Sequence, residues 1–239
     1  MISEDAYYMQ SQLGKFAGID RGHSVQLRAA ADSSRKCVLW SGLDNRRIFL
    51  VFRGTKGWAN TLTDLNIHLV ELGGGGRVHE GFLSYYNSLE SRIVGRINFV
   101  ANQLEELIVT GRSLGGAVAT IACERLARTY PWVSVTCVTF GSPRVGDTKY
   151  KEIYNRLVHR TLRFAIKADP FTMVPNSHKY VHVSDGILLG RSVSLAREVV
   201  GVTRKGLAKI VPLLFTGLKA KHSVESYMES MTGLMAVRV

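Results

Sequence analysis

The sequence predicts an α/β fold in which one mostly parallel sheet is flanked by helices. Three observations predict it. Apolar, strand-like runs alternate along the chain with segments of helical periodicity, the pattern of parallel crossover units. One such run, Leu107-Ile108-Val109-Thr110, enters Gly111-Arg112-Ser113-Leu114-Gly115 directly, and Leu114, Ala117, Val118, Ile121, Ala122 and Leu126 then recur at helical spacing. The 239 residues are 46% hydrophobic and 21% charged, enough to bury one large core, with no change of composition that would divide residues 1 to 239 into two domains.

Taken in order, residues 1 to 18 read as a helical lead-in. Ser24 to Ala30 and Cys37 to Ser41 read as short strands, and the turn Gly42-Leu43-Asp44-Asn45 leads to Arg47-Ile48-Phe49-Leu50-Val51-Phe52, the best central strand. Gly73 to Gly76 is a loop too short to separate domains. Phe82, Tyr86, Leu89, Ile93, Ile97, Val100 and Leu104 mark a long helix on the face of the sheet. Val133 to Phe140, Thr161 to Lys167 and Tyr180 to Val183 are the later strands, and Asp147 is placed to N-cap a helix over Tyr150 to Leu157.

Thirty-one Lys and Arg against nineteen Asp and Glu leave a formal charge of +12, which favours an anionic partner. No finger-type Cys/His spacing and no aromatic-basic run points to nucleic acid, so an anionic membrane surface, touched peripherally, is the preferred reading. Cys37, Cys123 and Cys137 suggest no disulfide framework. Met1-Ile2-Ser3-Glu4-Asp5 lacks the basic start of a secretory signal and no stretch of 18 apolar residues occurs, so a cytoplasmic setting without a spanning helix is expected. No metal constellation is visible and no cofactor is expected; nothing in the sequence speaks to oligomeric state.

Gly111 to Gly115 has a chemical reading. A serine on a sharp strand-to-helix turn carries its hydroxyl out over the end of the sheet, and glycines flank it because a side chain there would strike neighbouring backbone. The helix start offers unpaired N–H groups to a developing oxyanion. Ser113 is the candidate nucleophile, and the Leu114 N–H a candidate oxyanion donor.

Five further segments accompany this one: Phe52-Arg53-Gly54-Thr55 with Trp58-Ala59-Asn60 and Thr63-Asp64-Leu65 after it, then Val78-His79-Glu80-Gly81-Phe82, and Thr139-Phe140-Gly141-Ser142-Pro143-Arg144-Val145-Gly146-Asp147 beyond the serine. In order and spacing they resemble the class 3 (fungal-type) lipase family over about residues 47 to 230. The resemblance implies an α/β-hydrolase fold and a serine ester hydrolase acting on acylglycerols or phospholipids through an acyl-enzyme, with Thr55 as second oxyanion donor and a lid between Thr55 and Leu69. Trp58, Leu62 and Leu65 would form the lid's apolar face. The opposing expectation is a fixed loop packed by Trp58.

The hydrolase order of Ser, then acid, then His leaves Asp147, Asp169 and Asp185 as acids. Asp147 suits a helix cap. The resemblance places the acid at Asp169, in Asp-Pro-x-x-x-Val-Pro after strand Thr161 to Lys167, and Asp185 stays open as the runner-up. Among seven histidines, His23, His68, His79 and His159 precede the acid, while His178 and His182 flank or lie in a strand-like segment. His222, in His222-Ser223-x-x-x-Tyr227, resembles the family's final His segment. Ser113 would attack, His222 take and return its proton, and Asp169 hold the imidazole.

Two features stand apart. Arg112 occupies a position where the family usually carries His; it is expected either to pair with a carboxylate such as Asp64 or to meet an acidic substrate head. Residues 186 to 221, between the last expected strand and His222, carry seven basic residues (Arg191, Arg197, Arg204, Lys205, Lys209, Lys219, Lys221) against Glu198, interleaved with apolar residues. They read as a basic helical insertion, either a cap over the acyl pocket or an amphipathic surface for anionic lipid. Against the enzyme stand two other readings: a catalytically silent lipase-like domain used for protein interaction, and a basic membrane-surface binding module without chemistry.

Overall fold

The computed structural model describes residues 22–54, 67–167, 169–189 and 227. Its strands are β1 (Gly22–Arg28), β2 (Lys36–Gly42), β3 (Arg47–Phe52), β4 (Leu69–Glu71), β5 (Arg77–His79), β6 (Glu106–Arg112), β7 (Ser134–Phe140), β8 (Arg160–Ile166) and β9 (Gly186–Leu189). The helices are α1 (Glu80–Asn98), α2 (Leu114–Thr129) and α3 (Thr148–Leu157). Seven strands form one sheet in the order β1-β2-β3-β6-β7-β8-β9. β1, β2 and β3 run antiparallel to one another, and from β3 to β9 every pairing is parallel. All five parallel strands therefore end on one edge. This is the mostly parallel, helix-flanked sheet that the sequence predicts.

Register explains where the core sits. Residues directly opposite each other in neighbouring strands share a face. Ile48 and Leu50 of β3 stand beside Leu107 and Val109 of β6, which stand beside Val135 and Cys137 of β7. On this face α1 lays Phe82, Leu89 and Ile93, α2 lays Ala117 and Ile121, and α3 lays Tyr150 and Tyr154, all buried in one continuous core. Each fully buried Ile, Leu or Phe contributes about 1.5–3 kcal/mol. Because α2 lies against β6 and β7 as well as under α1 and α3, it is buried without a break from Gly115 to Glu124. The small side chains of Gly115, Gly116, Ala117 and Ala119 suit that position. On the opposite face Phe140, Phe164, Leu189 and Tyr227 form a smaller cluster. The three cysteines are buried and free.

Local chemistry sets the boundaries. His79 N-caps α1, its Nδ1 accepting the Gly81 N–H at 3.0 Å. Asp147 N-caps α3, accepting the Tyr150 N–H at 2.8 Å, as the sequence predicts. The loop Gly73 to Gly76 joins β4 to β5 as a hairpin, with Gly73, Gly74 and Gly75 all at positive φ.

Three expectations are corrected. The long helix ends at Asn98; Val100 and Leu104 keep helical spacing but lie in tight turns, Leu104 still buried. Tyr180 to Val183 is not a sheet strand: Val181 makes only an isolated bridge to Gly146, and the burial of the loop residues Tyr180 and Val183 produced the strand-like pattern. The last strand among the described residues is β9, which takes Gly186 to Leu189 out of the segment read as a helical insertion. That short apolar run pairs with β8, where Leu189 packs against Phe164, so it is edge strand rather than helix. The rest of that insertion, the lead-in over residues 1 to 18 and the lid residues Trp58, Leu62 and Leu65 lie outside the described residues.

Candidate active site

β6 delivers Ser113 to the carboxyl edge of the sheet, and α2 begins at the next residue. Ser113 sits at φ +55° and ψ −127°, a conformation that costs a non-glycine residue of order 1–3 kcal/mol. Its N–H donates to Phe140 O at 2.9 Å, and its carbonyl accepts from the Gly116 and Ala117 N–H groups. The N–H of Leu114, at the first position of α2, has no acceptor within the helix and lies beside the serine.

The glycines make this turn possible. A Cβ on Gly111 would lie 2.3 Å from the Gly115 carbonyl carbon and oxygen, and one on Gly115 would lie 2.4 Å from Phe52 O. Gly54, just past β3, is equally constrained, since its Cβ would meet Arg112 O at 2.8 Å. The chain leaving β3 thus presses against the serine turn; Thr55, the next residue in sequence, lies outside the described residues.

Asp169 follows β8 on the same edge, two strands along from β6. Neighbouring strands lie about 4.8 Å apart, so β8 stands roughly 10 Å across the sheet from β6, with β7 between them. Asp169 is 1% exposed and caps the 3-10 turn Pro170–Met173, its Oδ1 accepting the Phe171 N–H at 3.0 Å. Its Oδ2 accepts a 2.6 Å hydrogen bond from the hydroxyl of Tyr227. Tyr227 also accepts the Ile166 N–H at 3.2 Å and packs edge-on against Phe140, itself stacked on Phe164. Burial, reinforced by the Asp169 charge, pushes the phenol upward in pKa, so it stays a donor.

The other candidates are placed differently. Asp147 is committed to α3 and to Arg77, 3.2 Å away. Asp185 is exposed in the loop before β9. The Nε2 of His182 is 2.7 Å from Thr172 O, a structural contact. His222 lies outside the described residues. Arg112, at the end of β6, is half-buried on the face of Phe140 and near enough to Tyr227 for its charge to bias the phenol. Asp64, its expected partner, is not among the described residues. Sequence reasoning gave Tyr227 no role, although it quoted the residue beside His222; that proximity was the available signal.

The profile of the family described as Lipase (class 3) matches residues 49–179, more than half of the chain. The chain belongs to the class 3 lipase family. Its sequence is 32% identical over 169 residues to secreted mono- and diacylglycerol lipase 1 of Fusarium solani, covering 68% of this chain and 50% of that protein. It is 28% identical over 156 residues to the chloroplastic phospholipase A(1) DAD1 of Arabidopsis thaliana, covering 56% of this chain and 35% of that protein. This class 3 lipase family member thus spans half or less of the length of these relatives. Lipase II from Rhizopus niveus superposes with a TM-score of 0.62 at 24% identity, over 76% of this chain and 74% of that one, a likeness of fold.

Proposed function

We propose that this protein hydrolyses acyl esters of acylglycerols or phospholipids through Ser113, His222 and Asp169. The observation that carries the reading is the strained turn at Ser113, paid for by glycines on both sides and backed by an unpaired helix N-terminus. Ser113 Oγ attacks the ester carbonyl while His222 takes its proton. The tetrahedral oxyanion is held by the Leu114 N–H and by Thr55. His222 then protonates the leaving alcohol, and water, deprotonated by the same imidazole, releases the fatty acid from the acyl-serine. Asp169, gripped by the Phe171 N–H and the Tyr227 hydroxyl, is the fixed carboxylate against which the imidazole is oriented. The names of the Fusarium and Arabidopsis relatives support acylglycerol and phospholipid substrates.

The test pairs a fluorophosphonate probe with a hydrolysis screen over p-nitrophenyl esters, triacylglycerols and phospholipids. Labelling at Ser113, and a loss of turnover on the order of 10³ to 10⁶ in Ser113→Ala, are expected. Unchanged hydrolysis in Ser113→Ala would refute the assignment. No labelling and no hydrolysis would favour a silent interaction domain.

A further inference from the structure

On the α3 side of the sheet, behind the loop that links the Asp169 turn to β9, lies an open pocket of about 490 Å³. Its walls include Arg144, Lys151, Arg163, Tyr180, His182 and Asp185. Topology gathers these residues. Arg163 stands in β8 between Thr139 and Gly186, and Gly186 has no side chain to block the guanidinium, since a Cβ there would lie 2.6 Å from an Arg163 terminal nitrogen. Arg144 lies in the segment after β7, and Lys151 on the first turns of α3.

Arg35, Arg77, Arg125 and Arg128 each pair with a carboxylate. Among the described residues, Arg144, Lys151 and Arg163 make no such pair. Arg163 donates its Nε to Ser184 O at 3.1 Å and Arg144 one terminal N–H to Pro175 O at 3.4 Å, which leaves most of their donors uncommitted. Burial works against the charge of both guanidinium groups. His182 between them is pushed down to about 3, first by burial and then by Arg163, and so adds no charge. Three cations face one exposed carboxylate, Asp185, for a net charge matched to a dianion. The guanidinium fork suits a phosphate's oxygens, and the volume leaves room for an organic group attached to it.

We propose that this pocket binds the phosphate group of a phosphate ester, held by Arg144, Arg163 and Lys151. The site is separate from the serine chemistry and does not depend on it. Its floor nevertheless touches the acid's turn, because His182 bonds Thr172 O while the Thr172 hydroxyl bonds Asp169 O.

Two sources of that phosphate are distinguished by experiment on the full chain carrying Ser113→Ala, so that turnover cannot interfere. Calorimetry with glycerol 3-phosphate reads a soluble ester, and flotation with phosphatidylcholine vesicles, with and without phosphatidic acid, reads a lipid headgroup. Binding in either arm is expected to weaken about ten- to a hundredfold in Arg144→Gln/Lys151→Gln. Asp185→Asn, an exposed loop change that does not threaten the fold, is expected to tighten it about three- to tenfold. The proposal is overturned if neither probe binds, if both variants bind as the parent does, or if flotation is insensitive to the substitutions and glycerol 3-phosphate is silent.

Discussion

Replacing Gly111 by Ala tests the claim that backbone contact, not side-chain choice, builds the serine turn. The added Cβ would sit 2.3 Å from the carbonyl carbon and oxygen of Gly115 and 2.8 Å from the Gly116 nitrogen. Ordinary contact begins near 3.5 Å, so β6 and the first turn of α2 must part by about 1 Å. Neither side can yield by rotating a side chain. α2 is buried from Gly115 to Glu124, and moving it disturbs its packing on β6 and β7 together. We expect a loss of about 3 kcal/mol or more, which lowers Tm by roughly 6–12 °C in a domain of this size. The control is Gly95→Ala. Gly95 lies exposed in α1 with nothing within 4 Å of the new Cβ, and the same substitution there should add about 0.5–1 kcal/mol through helix propensity alone. Urea unfolding and calorimetry on both variants decide the matter. A Gly111→Ala protein within about 1 kcal/mol of the parent would refute the reasoning.

Two other outcomes are expected. Tyr227→Phe keeps the ring against Phe140 but removes the acceptor of the Ile166 N–H and a donor to Asp169; it should cost about 1–3 kcal/mol in urea unfolding and lower ester kcat about tenfold with KM little changed. Unaltered values of both would remove Tyr227 from the acid's support. His182, ordinarily near 6.5, is held at about 3 in the fold. Between those pH values the unfolded chain binds a proton that the folded one refuses. Stability is therefore full above pH 6.5 and falls below it, by up to about 1.4 kcal/mol per pH unit and about 2 kcal/mol from pH 7.5 to 5. His79, also lowered by burial, adds in the same direction. Urea midpoints of His182→Asn over that range should show a shallower slope than the parent's; parallel slopes would count against a buried neutral imidazole.

What could be read from the chain alone followed physical range. β3 was legible residue for residue because a five-residue apolar run, Ile48 to Phe52, bounded by a turn has few alternatives. The sharp turn at Ser113 and the Asp147 cap were legible because a strand-to-helix turn and an N-cap are local devices. The β4–β5 hairpin was not, since three-residue strands carry no periodicity and its glycines read simply as loop. β9 was absorbed into the apolar stretch after it, a confusion that short apolar runs invite. The basic pocket was visible only as surplus charge, because residues at 144, 151 and 163 meet through strand order rather than spacing.

The contact between Tyr227 and Asp169 spans 58 positions. During synthesis the serine, its elbow and the carboxylate all leave the ribosome well before the phenol that completes the carboxylate's surroundings. A chain cut short of residue 227 would lack that hydrogen-bond donor at Asp169, so the carboxylate's surroundings are complete only once a segment far beyond it in sequence has folded back against β8.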